Sequence, residues 1–141
     1  MSGEGTGSYS EAALSNLDVP ARNTRALLLV EDEPLIAAGI AELLGEHGYE
    51  FVQSAYTYAE AEEAVGSGRF DGAILDVMLA TRYVWPIAAA LRDRGTPFLF
   101  LTGLEAGSID EAFRDAPVVF KPFTEHELVS KLNALMSFMP S

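Results

Sequence analysis

The sequence predicts an α/β domain built as a doubly wound, five-stranded parallel sheet, and three observations predict it. From Ala26 onward, short apolar runs of strand length alternate with longer stretches of helical period, the pattern of βα units laid around a parallel sheet. The runs are too uniformly apolar for strands with one face in water, as expected where helices cover both faces. Four of them end on a polar residue: ALLLV on Glu31 and Asp32, GAIL on Asp76, PFLFL on Thr102 and PVVF on Lys121.

Taken in order, Ala26 to Val30 reads as the first strand. Pro34 suits the first helical position, and Leu35, Ile36, Ile40, Leu43 and Leu44 recur at helical spacing until Gly48. A second strand is predicted over Glu50 to Gln53. Thr57 then caps YAEAEEAV, which ends at the Gly66-Ser67-Gly68 turn. Ala73 to Leu75 form the third strand. Pro86 opens a third helix with the body IAAALRDR, and Gly95 closes it. Phe98 to Leu101 are the fourth strand. A short fourth helix over Ser108 to Arg114 follows Gly103 and Gly107 and offers only Ile109, Ala112 and Phe113 to the core, so it should be the least stable element. Val118 to Phe120 make the fifth strand. Thr124 caps a last helix in which Leu128, Leu132, Leu135 and Met136 share one face. No internal repeat is visible.

The domain so defined spans residues 26–139, behind an N-terminal tail of residues 1–25. MSGEGTGSYS holds too little apolar surface to offset the entropy of ordering it, which predicts flexibility. A short helix over residues 11–19 is compatible with the sequence, begun by the Ser8-to-Glu11 capping-box spacing and stopped by Pro20.

Composition narrows the function classes. A chain of 141 residues has room for one domain with a real core and a tail, and no output domain follows the last helix, so output is expected to pass through a partner. Lys+Arg 9 against Asp+Glu 21 gives a formal charge of -12, which repels nucleic acid and anionic membrane alike. The absence of cysteine removes disulfides, thiolate metal sites and thiol nucleophiles. With no membrane-length apolar run and no leader pattern, a soluble cytoplasmic protein is expected.

The chemistry lies where the strands run out. Parallel strands point the same way, so residues at their carboxyl ends gather at one rim, where such folds bind ligands. Glu31, Asp32, Asp76, Thr102 and Lys121 should therefore meet in one shallow site. Carboxylates crowded that closely raise one another's pKa values unless a cation neutralises them, and a hard, oxygen-seeking metal is the natural guest. Taken singly, each residue has a plainer reading: Glu31 to Glu33 as an acidic helix start, Asp76 as a turn residue, Lys121 as a solvated charge, Thr102 as a strand former. Their joint order favours the functional one. His47 and His126 have no ligand-spaced partner and read as structural, and Trp85 reads as packing or partner contact.

VED followed by EPLI, Asp76 inside ILDVML, a Thr after an apolar strand, and KPF before an amphipathic helix together resemble the receiver domain of bacterial two-component response regulators. The resemblance covers about Ala26 to Met136. It implies a flavodoxin-like (βα)5 receiver with strand order 2-1-3-4-5. It also implies that Asp76 accepts a phosphoryl group from a histidine kinase or phosphotransfer protein, with Lys121 pairing a phosphoryl oxygen and Thr102 as the switch hydroxyl. Mg²⁺ would be held by Asp32, Asp76 and the backbone carbonyl of Met78, with Glu31 acting mostly through metal-bound water, and the Lys121–Pro122 bond would be cis. Such a protein is a phosphoacceptor in signalling rather than an enzyme on other substrates. It would bind a protein target, relay phosphate or act as a phosphate sink, and would use the short fourth helix and the last helix as its signalling face, with a homodimer through that face allowed.

The chain departs from the family pattern in informative places. The Pro-Gly-Met-Asp-Gly turn common after the acceptor is replaced by MLATRYVWPIAAAL, and the inward-turning aromatic three residues before the lysine is Val118. PFLFLTG and the stretch before it are similar to a divergent group of mostly single-domain receivers with a Pro-Phe-x-Phe-Ala-Thr-Gly-Tyr motif, associated with HWE-type histidine kinases and with stress or light signalling; here Leu101 and Leu104 replace its Ala and Tyr. Met78 and Leu104 are apolar where many receivers are polar, which predicts slow loss of phosphate. The main alternative is a phosphate-independent adaptor of the same shape. A haloacid-dehalogenase-like phosphatase would need an acid/base Asp where Met78 stands, and a flavodoxin-type carrier a phosphate-cradling loop where Glu-Asp-Glu-Pro stands.

Overall fold

A computed structural model describes residues 25–103 and 109–137. The tail up to residue 24, the helix expected over residues 11–19, Leu104, Ser108 and the last two residues of the 26–139 domain lie outside the described residues. The chain runs β1 (Ala26–Val30), α1 (Pro34–Glu46), β2 (Phe51–Ala55), α2 (Tyr58–Ser67), β3 (Gly72–Asp76), β4 (Met78–Leu79), β5 (Arg82–Tyr83), α3 (Trp85–Asp93), β6 (Phe98–Thr102), a 3-10 turn over Glu111–Phe113, β7 (Val118–Phe120) and α4 (Glu125–Ser137). The main sheet is parallel in the order β2-β1-β3-β6-β7, and β4 and β5 form a separate antiparallel pair. With the hairpin set aside, this is the expected 2-1-3-4-5 order.

Strand alternation divides the core in two. Leu27, Leu29, Ile74, Leu99 and Leu101 face α1 and α4, where Ile40, Leu44, Leu128, Leu132 and Met136 meet them. Leu28, Val30, Leu75, Phe98 and Phe100 point the other way, into α2, α3 and Phe113. Each central strand is buried on both faces, so its residues are apolar without alternation.

The helix ends follow local chemistry. Thr57 accepts the Glu60 amide at 3.0 Å, and Thr124 and Glu127 form a reciprocal capping box at 3.1 and 2.8 Å. Gly95, at φ 74°, adopts the left-handed conformation that ends α3 cheaply. Gly72 answers a packing need: a Cβ there would lie 2.6 Å from the sulfur of Met136.

Several expectations require correction. β2 runs from Phe51 to Ala55 rather than over Glu50 to Gln53, because an edge strand tolerates Gln53 and Ser54 and its ladder with β1 continues to Val30 opposite Ala55. The expected apolar stripe of α1 does not wholly face inward: Ala37, Ile40 and Leu44 are buried, but Leu35 is 87% exposed and Ile36 is exposed too. The fourth helix is a single 3-10 turn. Asp110 caps it by accepting the Ala112 amide at 2.9 Å, and only Phe113 is buried, which leaves little to hold a longer helix.

The β4–β5 hairpin was not expected at all. It turns at Ala80, a non-glycine residue at φ 55°. Beyond the turn, the Arg82 guanidinium lies 3.5 Å from the Tyr58 ring centroid, and Tyr83 stacks on Trp85. Trp85 stacks in turn on Phe113 and meets Phe100 edge-on, so its role in the fold is packing. Phe100→Ala, which empties the centre of this aromatic cluster, is expected to cost about 3–5 kcal/mol, read as a lower urea midpoint at unchanged slope.

Candidate functional site

The carboxyl rim assembles as the strand ends require. The Glu31 amide donates to the Ala55 carbonyl at 3.1 Å and the Lys121 amide to the Thr102 carbonyl at 2.8 Å, carrying β1 and β7 one residue past their last ladder pairs. Glu31, Asp32 and Asp76 each place a carboxylate oxygen within 4.8 Å of the others. Glu31 is 1% and Asp76 3% exposed, while Asp32 opens to solvent. Lys121 reaches across from the far edge strand, with Nζ 3.3 Å from Glu31 Oε1 and 3.0 Å from Asp76 Oδ1. The Lys121–Pro122 bond that follows is cis.

Four of the predicted site residues, Glu31, Asp32, Asp76 and Lys121, are thus in one cluster. Thr102 is buried at the end of the intervening strand, its hydroxyl donating to the Gly103 carbonyl at 3.2 Å. Met78 lies two residues beyond Asp76, at the start of β4. Neither histidine belongs to the cluster: His47 pairs with Glu125 at 2.6 Å and His126 with Ser130 at 3.3 Å.

One contact at this site has no sequence signature. Asp32 Oδ2 accepts the Ala80 amide at 3.0 Å, so the tip of the hairpin orients an acidic side chain of the cluster. A glycine or asparagine at the turn would have flagged the positive φ, but alanine gives no such sign.

The electrostatics leave the cluster short of positive charge. Among the described residues Lys121 is the one cation within ion-pair distance of the buried Asp76 Oδ1, and it is shared with Glu31 at a poor hydrogen-bond angle. Burial, and then the hydrogen bond and charge of neighbouring Glu31, push the Asp76 carboxyl up to about 8 against the opposing pull of Lys121. For Lys121, burial works against the charged form, but attraction to Asp76 and Glu31 outweighs it and raises its pKa. Three converging carboxylates served by a single ammonium fit a hard divalent cation such as Mg²⁺.

The fold and this rim define a doubly wound α/β domain with an acidic, lysine-bearing site at the carboxyl ends of its strands. The chain belongs to the response regulator receiver domain family, whose model matches residues 27–133. It is therefore a signalling domain of two-component systems, in a family that receives phosphate from histidine kinases or phosphotransfer proteins and binds Mg²⁺ at an acidic pocket. Among solved structures it is similar to SdrG from Sphingomonas melonis Fr1, with 40% identity and a TM-score of 0.73 over 82% of this chain and 99% of that one. It also resembles the receiver domain of PhyR from Erythrobacter litoralis, with 25% identity and a TM-score of 0.70 over 84% and 94%. Among curated proteins, the transcriptional regulatory protein PdtaR of Mycobacterium tuberculosis is 32% identical over 85% of this chain and 60% of its own length. For DltR of Streptococcus agalactiae the figures are 33%, 75% and 49%. The chain spans about half the length of such curated relatives. Among the described residues no helix is long and apolar enough to cross a membrane.

The raised Asp76 pKa carries a stability consequence. Because the folded state holds this proton more tightly than the unfolded chain, whose value is near 3.8, metal-free stability should fall as pH rises from about 4 to about 8. Asp76→Asn should flatten that fall and raise metal-free stability at pH 8 by an amount on the order of a few kcal/mol, measured by urea unfolding in EDTA.

Proposed function

We propose that this protein is a phosphoacceptor switch in which Asp76 takes a phosphoryl group from a histidine kinase or a phosphotransfer protein. The observation that carries the reading is the convergence at one rim of the Glu31, Asp32 and Asp76 carboxylates with a single ammonium, Lys121 Nζ, 3.0 Å from the buried Asp76 Oδ1. In the step, an Asp76 carboxylate oxygen forms a bond to phosphorus while the phosphorus–nitrogen bond of the donor phosphohistidine breaks, the freed imidazole keeping the electron pair and taking up a proton. Asp32, Asp76 and the Met78 carbonyl would hold Mg²⁺ directly and Glu31 through water. The ion supplies charge neutralisation at the phosphoryl oxygens.

Lys121 holds a phosphoryl oxygen and keeps the acceptor's surroundings from becoming purely anionic. Thr102, now bonded to the Gly103 carbonyl, turns to donate to the new phosphoryl group and so changes the contacts at the end of β6. Leu35 and Ile36, exposed in the first turn of α1 just past Asp32, give the donor protein an apolar surface beside the site.

In the cell we read the protein as a cytoplasmic single-domain regulator that acts through a protein target or as a phosphate sink. Support comes from the likeness to SdrG along nearly the whole of that chain. The PFLFLTG motif, similar to that of the receiver group associated with HWE-type kinases, supports such a kinase as donor, and the 26% identity to a PhyR stress response regulator supports a place in stress signalling.

Incubation with acetyl phosphate and Mg²⁺ should add the mass of one phosphoryl group to the wild type and none to Asp76→Ala. An unmodified wild type, with a target bound equally by both chains, would instead identify the phosphate-independent adaptor. Autodephosphorylation should be slow, and Met78→Asn should speed it several-fold by admitting water, a change of about 1 kcal/mol in barrier read from acyl-phosphate decay.

A further inference from the structure

The surface between α4 and β7 holds an apolar groove that the phosphoryl site does not use. A depression of about 500 Å³ is lined by Pro117, Ala134 and Leu135, with Lys131 and Asp115 at its sides, and a second of about 290 Å³ shares Asp115, Pro117 and Leu135 with it. Leu135 belongs to the apolar stripe of α4, yet it is only half-buried, whereas Leu128, Leu132 and Met136 are closed off from solvent.

We propose that residues 11–19 of this same chain dock there as a short amphipathic helix. The chain reaches the sheet beside the groove, since the Arg25 guanidinium donates to the carbonyl of Met136, next to Leu135, at 2.8 Å. Parallel strands begin at one edge, so Arg25 before β1 and Pro117 before β7 lie at the same edge, three strand steps or roughly 14 Å apart. Residues 20–24 between the segment and Arg25 can span at most about 20 Å. The tether reaches.

The chemistry matches as well. In a helix, Ala13, Leu14 and Leu17 share one face by their i, i+3 and i+4 spacing, and Pro20 ends it before the linker. The segment carries Glu11 and Asp18 and no cation, while Lys131 at the groove is exposed and makes no ion pair among the described residues. A second copy is the weaker occupant, because two chains of formal charge -12 repel, whereas a tethered segment is held at high effective concentration.

The lack of cysteine makes the test clean. A nitroxide placed by Ser15→Cys in the full chain should strongly reduce the amide NMR signals of Ala116, Val118, Lys131, Ala134 and Leu135, leaving those of Ala61 and Ala64 under the opposite sheet face intact. Adding Leu14→Asp and Leu17→Asp to the labelled chain should restore the signals with the rest of the spectrum unchanged. Unreduced signals in the first chain, or reduced ones in the second, would overturn the proposal. So would reduction that persists when the nitroxide is on an isotopically silent chain mixed with an isotope-labelled chain that carries no nitroxide, since that would place a second copy in the groove.

Discussion

Two buried carboxylates facing one ammonium govern the carboxyl rim. In water Glu31 and Asp76 would each keep a full charge at little cost, but burial removes the solvent that makes this cheap. One lysine cannot neutralise both, so Asp76 holds its proton until something positive arrives. Sheet order enforces the shortage. β1 and β3 are neighbours, which brings the two acids together, while Lys121 leaves β7 two strand steps, roughly 10 Å, from Asp76. Only a long, flexible stem crosses that gap, and Thr102 fills the strand between. The site is unsatisfied by construction, and this makes a cation and a charged phosphoryl group welcome there.

How much of this was legible in the sequence depends on the range of the interactions involved. Strand ends were readable because a polar residue closing an apolar run marks where the strand meets the carboxyl rim, and that rule located Glu31, Asp32, Asp76, Thr102 and Lys121. Caps were readable because Thr57 and Thr124 act within four residues of themselves. Periodicity was a weaker guide. It put Leu35 and Ile36 on the stripe with Ile40 and Leu44, but a repeat tells which way a side chain points and not where the sheet beneath it ends. The expected fourth helix shortens to a 3-10 turn at Glu111–Phe113 for a related reason: of the apolar Ile109, Ala112 and Phe113, only Phe113 finds a fully buried place.

The hairpin after Asp76 was hidden because contacts distant in sequence hold it. Its two-residue turn has neither glycine nor asparagine, and Ala80 at φ 55° is an uncommon conformation that carries strain. The compensation is external. Asp32 takes the Ala80 amide, Arg82 lies over Tyr58, and Tyr83 stacks on Trp85. Asp32 therefore serves two structures at once, with Oδ2 fixing the hairpin while its carboxylate belongs to the acidic cluster. An oriented carboxylate is a better ligand than a free one, because less freedom remains to be lost when a cation arrives.

The same stack bears on how a chain with Val118 in the aromatic position could report events at the rim. Phe100 and Thr102 are two residues apart on β6 and share a face, the side filled by Trp85 and Phe113. Val118 packs against this cluster as well. A displacement at Thr102 therefore meets a set of interlocked rings rather than one ring free to swing. Rings at van der Waals contact cannot yield by small continuous amounts, so they either resist or move together. Tyr83, Trp85 and Phe113 run from the hairpin beside Asp76 to the 3-10 turn, so movement of the set links the rim to that turn without the aromatic residue that the family pattern places before its lysine.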